Sequence, residues 1–222
     1  MTGPQPHRMS TPKAAAFAGV VFALLFGAAL ILIRTSLPEG AEPGSQWIDG
    51  SSHRLRVAAM LMPFAGIAFL WFIGVIRDGF GRYEDRFFST VFLGSGLLFL
   101  ATMFVAAGVG AGLESMSGHT GEPGSDVALL GQTVLLSISK TYALRMAAVF
   151  MISLATIWLR SGLMPRPLVY GTYLVALALM AAAEVSMWLT LAFPAWVLVI
   201  SALLLRRRFT PEPPAAPSPD TA

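Results

Sequence analysis

Six long apolar stretches alternate with short polar ones along this chain, and each is close to the length that crosses a lipid bilayer. Residues 14–33, 57–76, 87–113 and 185–205 contain no charged side chain, 168–183 is a shorter uncharged run, and 141–159 is interrupted by Arg145 alone. A hydrocarbon core of about 30 Å takes about 20 apolar residues as a helix, and a spanning segment must satisfy its own backbone polar groups. The pattern predicts an all-α integral membrane bundle of six transmembrane helices, over residues 13–34, 54–77, 84–113, 139–160, 167–187 and 189–206.

The breakers between these runs set the connections. Residues 1–12 hold three prolines and residues 209–222 hold five, so both read as disordered tails flanking a membrane domain of residues 13–208. Pro38, Gly40, Pro43, Gly44 and Gly50 mark the first loop, with Trp47 expected at the interface. Ser52 fits the N-cap of the second helix, and Pro63 inside it predicts a kink. Asp78-Gly79-Phe80-Gly81 is a tight link, and Glu84 and Asp85 suit the positive end of the third helix. A single helix over residues 126–160 would be about 50 Å long, too long for the core unless it tilts or protrudes. The reading adopted is an interfacial helix over residues 126–138 followed by a fourth span from 139. Gly162, Pro165 and Pro167 end that span. Residues 167–206 are enough for two crossings, with the turn placed near 186–189, because a turn at Pro194 would leave the last helix short.

Composition narrows the class. The 222 residues are 55% hydrophobic and 12% charged, against about 25% charged in soluble domains, which leaves no separate soluble domain. The net charge of +3 does not point to nucleic acid, because the basic residues cluster at helix ends. There is no cysteine, so disulfides and thiol chemistry are excluded. Thirteen of the fifteen basic residues are Arg, in a chain rich in Ala, Gly and Pro, a bias that suggests a bacterial source.

Orientation follows from where the basic residues fall. With the N-terminus cytoplasmic, that side holds Arg8, Lys13, Arg77, Arg82, Arg86, Arg160, Arg166, Arg206, Arg207 and Arg208, ten in all, against four (Arg34, Arg54, Arg56 and Lys140) on the other. Both termini are therefore expected in the cytoplasm, and the protein in the bacterial cytoplasmic membrane. Arg8 and Lys13 before an apolar run also fit a signal peptide, but the run is 20 residues long, beyond an h-region of about 7–15. It reads as a retained first helix.

The run Pro63-Phe64-Ala65-Gly66-Ile67-Ala68-Phe69-Leu70-Trp71-Phe72-Ile73-Gly74-Val75-Ile76-Arg77-Asp78, continuing into Glu84-Asp85-Arg86-Phe87-Phe88 and Val91-Phe92-Leu93-Gly94-Ser95-Gly96, resembles a group of uncharacterised actinobacterial multi-pass membrane proteins. The resemblance covers the second and third helices. It implies a six-helix membrane fold and carries over no catalytic or binding residue.

Three constellations are candidate sites. Arg145 and Glu184 are expected at similar depth in the outer half of the bundle, where ionisable groups are costly and usually paired or cavity-lining. They form either a polar pocket for an ion, proton or lipid headgroup or a structural clamp; alternatively, Arg145 snorkels outward with Lys140. Arg34, Arg54, Arg56 and Lys140 form an outer-surface basic cluster, either for an anionic headgroup or solvated and balanced by Glu39, Glu42 and Asp49. Arg77, Asp78, Arg82, Glu84, Asp85 and Arg86 form a mixed-charge cytoplasmic hairpin that docks a partner or, more simply, fixes itself by ion pairs.

Leu93-Gly94-Ser95-Gly96 is not a protease motif: the first glycine is missing, and His7, His53 and His119 all lie in tail or loops, with no base at membrane depth. Those histidines also give no metal or haem spacing. Gly94 and Gly96, the Gly19-Ala23-Gly27 series and the Gly108/Gly112 pair read as small-residue packing faces. No enzyme motif or cofactor site is expected. The partners expected are membrane lipids and either another membrane protein or a second copy, with no nucleic acid. The functional expectation is a non-enzymatic accessory, assembly or interaction protein; the alternative is a small-solute transporter or lipid-binding protein built on the Arg145/Glu184 pocket.

Overall fold

The computed structural model describes residues 11–36, 52–78, 86–116, 126–182 and 187–206. Within them the protein is all-helical: α1 (Thr11–Ser36), α2 (Ser52–Asp78), α3 (Arg86–Met116), α4 (Asp126–Leu136), a π-helical section (Ser137–Tyr142), α5 (Ala143–Ser161), α6 (Arg166–Ala182), a 3-10 turn (Met187–Leu191) and α7 (Ala192–Arg206). Five helical segments are long and apolar enough to cross a membrane: Ala16–Ser36, His53–Asp78, Arg86–Ser115, Leu129–Ser161 and Trp188–Arg206. α6 is a shorter apolar helix of 17 residues.

No break separates residues 126–138 from the span that follows. α4 passes through the π-helical section directly into α5, so the separate interfacial helix expected there is instead the first part of one continuous helical run from Asp126 to Ser161. Gly131 and Gln132, which look like interruptions in sequence, are accommodated by contact with α3. The hydrogen side of Gly131 faces the Leu113 side chain, and Gln132 is buried. Pro63 sits on an exposed face of α2, which remains α-helical on both sides of it. Pro194 is the third residue of α7, where a missing N–H removes no intrahelical bond. The turn expected near 186–189 falls partly on residues 183–186, which lie outside the described residues. The stop at the end of α5 is Gly162, left-handed at φ 65°, a conformation glycine adopts without steric cost. The Pro165 carbonyl then accepts the Leu168 and Val169 amides and starts α6.

Neighbouring helices alternate in direction. The Arg54 side chain reaches the Thr35 carbonyl, Arg56 pairs with Glu114, Arg160 lies over the Phe88 ring at 4.7 Å, Thr156 bonds Tyr173, and Trp196 bonds Thr172. One end of the bundle thus collects Thr11, Asp78, Arg86, Ser161, Arg166 and Arg206, hereafter the basic end. α1 packs between α2 and α7, α3 between α2 and α5, and α6 lies against α5 with little approach to α7.

The centre is made of rings. Phe22 of α1, Phe69 of α2, Phe99 of α3, Phe150 of α5 and Phe193 of α7 come one from each of the five long segments, and none is more than 1% exposed. Phe69 is the hub, with ring centroids 4.6 Å from Phe22, 5.3 Å from Phe150, 5.5 Å from Phe99 and 5.8 Å from Phe193. Counted along their helices, all five lie about 13–20 Å from the basic end, near the middle of a 30 Å core. Edge-on and offset arrangements of this kind add favourable electrostatics to dispersion, which is the main attraction left between helices in lipid.

Candidate functional site

Most hydroxyls at membrane depth are satisfied by their own helix. Ser95, Thr102, Ser153, Thr156 and Thr172 each donate to a carbonyl four residues earlier, the usual arrangement for Ser and Thr inside a helix. Ser95, in the glycine-flanked run that invites comparison with a protease, commits its hydroxyl to the Val91 carbonyl at 2.6 Å.

Ser201 and Gln132 are not so satisfied. Ser201 is wholly buried and its Oγ has no hydrogen-bond partner; it points at the backbone of Gly19. Gln132 is 7% exposed and its Oε1 has none either. The sequence marks Gly131-Gln132-Thr133 as a polar interruption but carries no sign that the glutamine turns inward.

Of the first candidate pair, Arg145 is half-buried on α5, about 24 Å from the basic end. Glu184 lies outside the described residues. Of the basic cluster expected at the outer surface, Arg34, Arg54 and Arg56 come to the same end of the bundle. Arg54 and Arg56 are exposed, and Arg56 pairs with Glu114 of α3. Arg34 is not solvated: it is 2% exposed in the last turn of α1, where a cation suits the negative end of the helix dipole. Lys140 lies within the π-helical section, part-buried. Glu39, Glu42, Asp49 and Trp47 lie outside the described residues. In the mixed-charge hairpin expected on the cytoplasmic side, Arg77 and Asp78 end α2 and Arg86 starts α3, all exposed; Arg82, Glu84 and Asp85 lie outside the described residues.

Glycine roles also divide. A Cβ at Gly19 would overlap Ser201 and come within 2.9 Å of Phe72, and one at Gly96 would come within 2.7 Å of Ile73 and 3.1 Å of Phe150. These two glycines permit helix contact inside the chain. Gly27, Gly94, Gly108 and Gly112 face open space.

Among the described residues, grooves open on the outer surface of the bundle. One, of about 280 Å³, runs between α1 and α2 and is lined by residues such as Phe17, Val21, Phe64 and Trp71. Another, of about 420 Å³, runs between α6 and α7, lined by Pro167, Leu168, Gly171, Thr172, Val175, Ala192, Ala195, Trp196 and Val199. It exists because α6 leans on α5 and leaves α7 at a distance, with a hydrogen-bonded side-chain pair between them. Trp196 Nε1–H donates to Thr172 Oγ1 at 3.0 Å, and Thr172 donates to the Leu168 carbonyl. Its polar atoms are therefore already paired with one another, and what remains is an apolar trough.

No group of three or more metal-ligating side chains occurs among the described residues. No family model, curated protein or solved structure matches the chain.

Proposed function

We propose that this chain is a multi-pass protein of the bacterial cytoplasmic membrane that acts as a non-enzymatic accessory, assembly or interaction protein. In this reading it crosses the bilayer six times, α6 included, with both termini in the cytoplasm. The observation that carries it is the phenylalanine centre. A solute pathway needs polar, hydrated space near mid-depth, as broken helices or ionisable residues provide. At that depth this bundle places five packed rings. What it offers to other molecules is its outer face, where Phe17, Phe64, Trp71, Gly108 and Gly112 are exposed.

Single cysteines in the cysteine-free chain test the reading. Phe99→Cys and Phe193→Cys should stay unmodified by a small methanethiosulfonate reagent in native membranes. A photo-crosslinking residue at Gly108 or Trp71 should give a discrete protein adduct. Rapid modification of both central cysteines would instead reveal a water path and return the transporter reading, and adducts with lipid alone would remove the partner reading. For topology, cysteines at Ser45 and Ser117 should react with an impermeant thiol reagent in intact cells, while one at Gly81 should not. Labelling at Gly81 alone would invert the orientation that the ten-to-four basic bias supports.

A further inference from the structure

We propose that the trough between α6 and α7 is a binding site for an anionic phospholipid, with one acyl chain in the trough and the phosphate between Arg166 and Arg206. The trough is apolar along its length, because the Thr172–Trp196 hydrogen bond and the Thr172 bond to Leu168 consume its polar groups. A polar solute gains nothing there, whereas a hydrocarbon chain fills space that the two helices leave open. Its volume of about 420 Å³ lies within the usual range for small-molecule sites. Along α6 it runs from Pro167 to Val175, about 12 Å, close to the hydrocarbon thickness of one leaflet, roughly half of 30 Å. Its α7 wall reaches deeper, to Ala192, about 21 Å along the helix from Arg206, so an acyl chain entering at the basic end would lie along it past the bilayer midplane.

Charge selects the headgroup. Arg166 immediately precedes Pro167 at the mouth of the trough, and Arg206 follows Val199 by seven residues, two turns along the same face of α7. Both are exposed, and both lie at the basic end of the bundle. Among the described residues Asp78 is the one acid at that end, and it sits on α2, which does not line the trough. Two guanidinium groups at the membrane surface beside an apolar slot match a phosphate carrying an acyl chain. The inference goes beyond the partner reading and does not depend on it, since the trough lies outside the phenylalanine centre and away from Gly108 and Trp71.

The test is thermal unfolding of the full chain in mild detergent, titrated with dioleoyl phosphatidylglycerol, dioleoyl phosphatidylcholine or glycerol 3-phosphate. Phosphatidylglycerol should raise the midpoint by several degrees, and the other two should not. Arg166→Gln with Arg206→Gln should abolish that shift while leaving the lipid-free midpoint in place. Gly171→Phe should do the same by filling the trough; a Cβ at Gly171 meets open space, so the variant folds without overlap at that atom. Equal shifts from both phospholipids, a shift from glycerol 3-phosphate alone, or a phosphatidylglycerol shift that survives both variants would each overturn the site. Loss of a dimer on Gly171→Phe without lipid dependence would give the trough to a second copy of the chain and overturn it too.

Discussion

Phe69→Ala should destabilise the bundle by about 3 kcal/mol, the low end for a phenylalanine removed from a packed interior. Phe69 touches a ring from α1, α3, α5 and α7 at once, so no single neighbour can move in to fill the void without leaving another. The low end applies because lipid tails are as apolar as the protein interior. The loss is then dispersion and cavity energy, without most of the transfer energy a soluble core would also lose. Phe64→Ala on the same helix supplies the contrast. Its side chain is 63% exposed on the outer face, and removing it should change stability by no more than about 0.5 kcal/mol. The two variants are compared by thermal unfolding in detergent or by steric trapping in bicelles. Equal effects at 64 and 69 would mean that the ring cluster does not hold the helices together.

The second large effect is expected at the α1–α7 contact. Gly19→Ala places a methyl group on Ser201 Oγ and within 2.9 Å of the Phe72 ring, itself fully buried. Overpacking of this kind costs about 1–3 kcal/mol, offset by up to about 1 kcal/mol of helix propensity gained on replacing glycine. A net loss of about 1–2 kcal/mol should appear as a lowered unfolding midpoint. Ser201→Ala alone should be neutral or mildly stabilising, because it removes a buried hydroxyl that has no partner. The double variant should lie above the sum of the single effects, since the alanine at 201 removes the nearer overlap. Rescue should be partial, because the Phe72 contact remains. Additive effects would place the strain elsewhere. A stabilising Gly19→Ala would show that α1 and α7 are not in close contact there.

How far the chain could be read in advance depends on which energies act locally. Lipid exposure and backbone satisfaction act on each segment by itself, so uncharged runs at 14–33, 57–76, 87–113 and 185–205 were enough to place α1, α2, α3 and α7 within a few residues. Gly162 with Pro165 likewise placed the gap between α5 and α6, because a left-handed glycine and a proline act within one turn. Residues 126–138 were harder. Gly131 and Gln132 weaken a helix locally, and only contact with α3 lets the helix run through them. The candidate charges divide in the same way. That Arg54 and Arg56 lie near one surface follows from their distance to an apolar run. That Arg56 meets Glu114 follows from how α2 and α3 pair, and 58 residues of chain separate them.

What the amino-acid order determined by itself is an all-helical chain with several helices long and apolar enough to cross a membrane, because a bilayer tests every segment for length and charge one at a time. Which faces turn inward was a tertiary decision. A helix that is apolar all round carries no pattern separating Phe69, at the hub, from Phe64, facing lipid, or Gly19, pressed against α7, from Gly108, facing open space. In water the hydrophobic effect would write that distinction into the sequence as polar and apolar faces. In lipid both faces are apolar, and only the fit of side chains between helices decides.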